Sequence, residues 1–301
     1  MSLTMSLPTH IPVLVKEAVE GLQARPGGRF IDCTIGLGGH ASATLEKISP
    51  EGKLLGIDAD PEAIKVAQVK LGDYSEAVTL VNDNFANLEV ICSKYNFYPV
   101  DGILFDLGLS SLQLDTAQRG FSFQREAPLD MRFDTRQELT AADLVNTSSE
   151  RELAHILKEY GEELFSWHIA RRIVRNRPIT STLQLAQIAE QALGSRRSRI
   201  HPATRTFMAL RIAVNSELEN LKLALEQTVN LLRFRGRLVV ISYHSLEDRI
   251  VKEFMRREAT SQGHVPTLKL ISRKVIKPSP LEVESNPRSR SARLRIAERL
   301  R

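Results

Sequence analysis

Nine consecutive residues, Asp32-Cys33-Thr34-Ile35-Gly36-Leu37-Gly38-Gly39-His40, put an acid, a glycine cluster and a histidine at one junction. A β-rich run (29–34) gives way there to a helical pattern (40–48). Glycines at such a junction let the backbone take positive φ and approach a ligand closely. The first amides of the helix can then hold a polar or anionic group. Asp58 stands 22 residues after Gly36, at the end of a second apolar run, where a carboxylate can accept both hydroxyls of a ribose. Asn82-Asp83-Asn84-Phe85 follows a third run and offers a polar group and an aromatic face for an adenine. Asp106 ends a fourth. Two cofactors compete for this set. Gly36-x-Gly38-x-x-Ala41 fits the dinucleotide fingerprint, with Asp58 at about the expected distance. S-adenosylmethionine fits better, because Asp32 and Asp106 suit a cationic amino-acid moiety and oppose a pyrophosphate. A P-loop is excluded, since no Gly-Lys-Ser/Thr follows the glycines.

The elements that must position these residues alternate. Runs at 29–34, 53–58, 77–82 and 100–107 read as buried strands, with helical spacing at 40–48 and 61–71. That rhythm predicts βαβ units and a doubly wound parallel sheet. Ligands bind such sheets at the carboxyl ends of the strands, where all four elements end. From about 115 to 205 no buried strand is read. Segments 139–145, 150–159, 163–175 and 183–192 read as amphipathic helices, and a single long helix is expected over 203–233. The sheet resumes at 237–242, with helix 247–257 and a strand at 268–277. The expected organisation is therefore a first sheet segment (1–114), an inserted helical domain (115–205) and a second sheet segment with a basic tail (206–301). Part of that tail, 278–301, is expected to order only on binding.

The chain has 301 residues, 42% hydrophobic and 26% charged. This excludes wholesale disorder and low-complexity architectures. No apolar run is long enough for a membrane span, and the N-terminus lacks the pattern of a secretory signal. Two cysteines, Cys33 and Cys92, exclude a disulfide scaffold and a multi-cysteine zinc site, and no metal site is read. A cytoplasmic protein without a membrane partner is expected. The net charge of +5 is uneven: residues 1–150 carry 12 basic and 21 acidic side chains, residues 271–301 nine and three. A basic rear behind an acidic front points to a polyanion partner, although solvated basic surface would look the same.

The strings DCTIGLGGH, FDLGLSSLQLD, RGFSF, PLDMR and ISYHSLEDRIVKEF resemble the bacterial 16S ribosomal RNA cytosine 4-amino methyltransferase family, the MraW or RsmH type. HIPVLVKEAVEGL near the start and NPRSRSARLRIAER near the end are similar to the same family, so the resemblance runs from about His10 to Arg299. It implies a class I S-adenosylmethionine-dependent methyltransferase sheet with a helical insertion. It implies cofactor contacts at Gly38, Gly39, His40, Asp58, Phe85, Asp106 and Gln113; the residues themselves add Asp32 and Gly36. The implied substrate is a cytidine in the decoding region of 16S RNA, within the small ribosomal subunit. A homodimer is compatible with the sequence.

Methyl transfer to a cytosine amine needs positioning and a hydrogen-bond acceptor, with no covalent intermediate. The base must leave its stack. Asp106 or a neighbouring carbonyl is the candidate acceptor, with Ser110 and Ser111 as helpers or as a helix N-cap. Tyr243 or His244 can stack on the base, and Arg249 can hold a phosphate. The bland alternative has Ser245 capping the next helix, with Glu247 and Arg249 in surface pairs. Arg119–Phe123 and Pro128–Arg132 form either a cover over the cofactor or a buried packing turn. Three arginine groups can meet RNA: Arg171, Arg172, Arg175 and Arg177; Arg196, Arg197 and Arg199; and Arg288, Arg290, Arg293 and Arg295. A solvated helix face is the simplest reading of the first. The last, spaced by Ser and Pro without acidic partners, is expected to bind phosphate. The rival functions are an NAD-dependent oxidoreductase and a non-catalytic ribosome-assembly factor on a cofactor fold.

Overall fold

A computed structural model describes residues 11–194, 201–261 and 265–301. Seven strands form one sheet in the order β3-β2-β1-β4-β5-β7-β6. They are β1 (Arg29–Asp32), β2 (Lys53–Asp58), β3 (Val78–Asn82), β4 (Val100–Asp106), β5 (Leu232–Ser242), β6 (Leu268–Leu270) and β7 (Arg293–Arg299). The first five pair in parallel; β7 is antiparallel to both β5 and β6. β1 pairs with β2 on one side and β4 on the other, so the chain reverses its direction of winding between β1 and β4. This is the switch point at which such sheets bind ligands.

The central strands are apolar on both faces because helices cover both. Ile31, Leu55, Ile103, Phe105 and Val240 point into one core with α4 (Leu88–Lys94), α11 (Glu217–Leu231) and α12 (Ser245–Glu258). Their neighbours Phe30, Leu54, Leu104 and Val239 point into the other, with α1 (Val15–Leu22), α2 (Gly39–Ile48) and α3 (Pro61–Lys70). The period of two in the sequence thus becomes two separate cores.

The chain divides into two units, residues 1–108 with 218–301, and residues 109–217. The second holds α5 (Ser111–Asp115), α6 (Ala141–Thr147), α7 (Glu150–Gly161), α8 (Ser166–Arg175), α9 (Thr182–Leu193) and α10 (Ala203–Asn215). Leu153, Leu157, Ile169, Ile173, Leu185, Phe207 and Leu210 form its core. Capping boxes at Thr140/Asp143 and Ser149/Glu152 start α6 and α7.

Three sequence expectations change. The long helix over 203–233 is two helices, because Ser216 adopts φ 49° between α10 and α11. The strand at 268–277 is reduced to Leu268–Leu270 plus one bridge, Ile276 to Leu294. The tail holds regular structure: α13 (Pro280–Ser285) and β7 are ordered elements, and Leu294, Ile296 and Ala297 are buried. Its alternation of arginine and apolar residues is the half-buried pattern of a strand.

Candidate cofactor and active site

Within the sheet unit, Asp32, Asp58 and Asp106 end β1, β2 and β4, side by side at the switch point. Each is held by backbone or side-chain donors. Asp58 Oδ2 accepts the Gly36 amide at 2.9 Å, and its Oδ1 accepts the Asp60 amide at 2.9 Å. The carboxylate at the end of β2 therefore latches the glycine loop that follows β1. Asn82 fixes the same corner by donating to the carbonyls of Asp58 and Ala59. Asp32 is buried and accepts from the Thr34 amide at 3.1 Å.

Asp106 is clasped on three sides. Its amide donates to Thr34 Oγ1 at 2.6 Å. The Tyr243 hydroxyl donates to Oδ1 at 2.8 Å, and His40 Nδ1 lies 3.5 Å from Oδ2. His40 Nε2 lies 2.8 Å from the Val13 carbonyl, which can only accept, so Nε2 carries a proton. Nδ1 is left facing the Asp106 carboxylate.

The glycine loop has the shape expected of a cradle. Gly36 and Gly38 take φ of 49° and 76°, a region that side chains strain to reach. At Gly39 an added Cβ would lie 2.8 Å from the Pro12 ring, so the segment 11–14 packs directly on the start of α2. Phe85, half-buried, meets Phe105 edge-on with centroids 5.6 Å apart.

The electrostatics select the ligand. Burial pushes the Asp32 carboxyl up to about 6 and the Asp58 carboxyl up to about 7, and it raises Asp106 as well. Asp106 further raises Asp32, and Asp32 further raises Asp58. Three acids at adjacent strand ends oppose a pyrophosphate and favour hydroxyl donors and a cation. The residues present therefore fit an adenosine carrying a positively charged amino-acid arm.

The model of the MraW methylase family matches residues 8–300. The chain belongs to that family. It is 56% identical over 302 residues to ribosomal RNA small subunit methyltransferase H of Dehalococcoides mccartyi, covering 97% of this chain and 86% of the relative. The protein of the same name from Thermomicrobium roseum is 52% identical, with 97% and 94% covered. That of a Cyanothece species is 50% identical, with 97% and 95% covered. The fold of this methylase is the class I S-adenosylmethionine-dependent one, and S-adenosylmethionine is its cofactor. The dinucleotide reading of the glycine loop is set aside.

The expected residues separate into groups. Asp32, Gly36, Gly38, Gly39, His40, Asp58, Phe85 and Asp106 all lie in the sheet unit, around the ends of β1 to β4. Ser110, Ser111 and Gln113 lie in the helical unit. There Ser110 is the N-cap of α5, and Gln113 closes the capping box. His244, not Ser245, caps α12. Glu247 is buried rather than at the surface, and its carboxylate accepts the amides of Tyr243 and His244 at 2.8 and 3.3 Å. Tyr243, a stacking candidate by sequence, has its hydroxyl committed to Asp106 instead. Arg293 and Arg295 have the acidic partner the sequence did not show: Asp248 on α12 binds them at 3.1 and 2.7 Å. Arg249, Arg288 and Arg290 are exposed. Arg196, Arg197 and Arg199 lie outside the described residues.

Within the helical unit, the two arginine motifs form a packed turn. Arg119 donates to the carbonyls of Arg132 and Phe133, Asp130 forms a two-point pair with Arg132, and Asn215 bonds the backbone of Met131 and Phe133. Phe121 is buried, and Phe123 stacks on His201 at 4.5 Å. Sequence reasoning missed Thr34, Val13 and Glu247. Thr34 lies inside the motif already singled out, so its place between two strand-end acids was the available signal.

Proposed function

We propose that this chain uses S-adenosylmethionine to methylate the exocyclic 4-amino group of a cytidine in the decoding region of 16S RNA, acting in the cytoplasm. The observation that carries the chemistry is the clasped Asp106 beside two further acids and a glycine cradle. The relatives' printed name supports the RNA of the small subunit as substrate. The cytidine position and its 4-amino group rest on the motif resemblance.

Asp58 would hold the ribose hydroxyls, Phe85 the adenine face, and Gly36, Gly38 and Gly39 the path of the cofactor. Asp32 would face its ammonium, with His40 and Asp106 nearest the amino-acid arm. When bound, the cofactor supplies an electrophilic methyl on a sulfonium. The remaining work falls to this chain. A cytosine amine is a poor nucleophile because its lone pair is delocalised into the ring. An acceptor for one of its N–H bonds lets the nitrogen become more tetrahedral. Tyr243 occupies Oδ1 of Asp106, so Oδ2 is the oxygen that would accept that N–H. The proton that leaves the amine would pass to this oxygen, with His40 Nδ1 3.5 Å away. His40 cannot turn freely, because Val13 holds its far nitrogen. Placement and preorganised hydrogen bonding are the sources of rate.

The test is Asp106→Ala, assayed for methyl transfer to unmodified small subunits and separately for subunit binding. Loss of transfer with binding retained is expected. Transfer at the wild-type rate would remove Asp106 from the mechanism. A wild-type chain that binds subunits and donor yet transfers nothing would return the reading to an assembly factor.

A further inference from the structure

The helical unit carries an exposed aromatic and basic surface on one of its helices. Helix α8 turns Ile169, Ala170 and Ile173 inward, and these are fully buried. Its outer face is different. Trp167, the chain's single tryptophan, is 52% exposed, and Leu164, in the turn that precedes the helix, is 86% exposed. Arg171 follows Trp167 by four residues and Arg175 by eight, on the same face, with Arg172 beside them; all three are exposed. Residues 164–177 contain four arginines and a histidine and no Asp or Glu.

Large aromatic side chains normally provide core area. A tryptophan left in water next to a row of guanidiniums has the chemistry of a base-stacking platform beside phosphate-binding cations. Arg177 is the exception, since it donates to the carbonyls of Val145 and Ser148 and is structural. Arg171 meets Glu150 at 3.2 Å, but at an exposed site where such a pair is weak and exchangeable for phosphate. Arg172 reaches Gln191 at 3.3 Å, a neutral partner that leaves its charge uncompensated.

We propose that the outer face of α8 is an RNA-docking surface, with Trp167 stacking on an unpaired base and Arg171, Arg172 and Arg175 holding the adjoining phosphates. This rests on the RNA-methylating reading above and assigns one of its contact surfaces. A second copy of the chain is the poorer occupant, because a two-fold contact through α8 would bring each arginine row against its own copy. A membrane is poorer still, since the outward face offers only Leu164 and Trp167 as apolar residues.

The single tryptophan makes the surface directly readable. Its fluorescence should be quenched, saturably, by a stem-loop of the small-subunit decoding region at constant protein concentration. Trp167→Ala should weaken filter-retained binding to unmodified small subunits by roughly 5- to 150-fold, the range for one stacked base. It should raise the KM for subunits by a similar factor and leave both kcat and the KM for S-adenosylmethionine unchanged. Trp167→Phe, which keeps a stacking ring, should recover most of the affinity. The double variant Arg171→Glu/Arg175→Glu should weaken binding and reduce the slope of log affinity against log salt by about two. Unchanged subunit binding in both Trp167→Ala and the double variant would overturn the proposal. Quenching that follows protein concentration, or anionic vesicles in place of RNA, would overturn it too. If wild type transfers no methyl group, the functional reading fails by itself, and the binding measurements still decide the role of α8.

Discussion

Replacing Tyr243 with phenylalanine removes one oxygen from the best-defined part of the site and leaves the ring. The hydroxyl donates to Asp106 Oδ1 over 2.8 Å, and both groups are half-buried. Burial raises the Asp106 carboxyl, while His40 and the Tyr243 hydroxyl pull it down. A hydrogen bond to a charged group contributes about 1.5–3 kcal/mol. Each pKa unit corresponds to about 1.4 kcal/mol, so the loss should raise Asp106 by about one to two units. The sign follows from the charge: the lost donor favoured the carboxylate, so its removal favours the acid form. If ionised Asp106 accepts the amine proton, the acid limb of kcat/KM should move to higher pH by that amount. Rates on the alkaline plateau should stay within a few-fold of wild type. The assay is methyl transfer to unmodified subunits across the pH range, with a thermal melt confirming that the Tyr243→Phe variant remains folded. An acid limb that stays in place, or moves to lower pH, would refute the role given to Asp106.

Other outcomes follow from the same geometry. Burial pushes Asp32 and Asp58 up to about 6 and about 7 from their ordinary value of 3.8, so donor binding should tighten and release protons as pH rises through that window. Calorimetry in buffers of different ionisation heat reads the release. The same shifts mean that these two acids favour the folded chain most below about pH 4 and lose that contribution as pH rises to 7, so Asp58→Asn should gain thermal stability relative to wild type with rising pH. Gly39→Ala drives a methyl into Pro12 and should cost about 1–3 kcal/mol in a denaturant melt while lowering donor affinity. Asp248→Ala leaves Arg293 and Arg295 without their carboxylate. Because Arg293 is 39% exposed and screened, the stability loss should be about 1–3 kcal/mol, read by chemical denaturation.

Much of this site was legible because local pattern and chemistry coincide in it. Apolar runs ending in Asp32, Asp58 and Asp106 mark both the strands and their carboxyl ends, and glycines mark the turn between β1 and α2. What stayed hidden depends on partners distant in sequence. Nothing near Arg293 and Arg295 announces Asp248, some 45 residues away, so a strand of alternating arginines read as a free basic tail. Tyr243 and Asp106 are 137 residues apart, and only the pairing of β4 with β5 brings them together. The break at Ser216 was invisible for another reason. Helical spacing continues through it, and a single residue in the left-handed region ends one helix and starts the next. His244 displaced Ser245 as the cap of α12 because its Nδ1 can accept the Glu247 amide, at 3.4 Å, as a hydroxyl would.

The most direct test of the account is to incubate the purified chain with methyl-labelled S-adenosylmethionine and small ribosomal subunits that lack the modification, and then to digest the RNA to nucleosides. The account predicts label in 4-amino methylated cytidine, absent when Asp106 is replaced by Ala. Label in any other nucleoside, or none despite measured binding of donor and subunit, would contradict it.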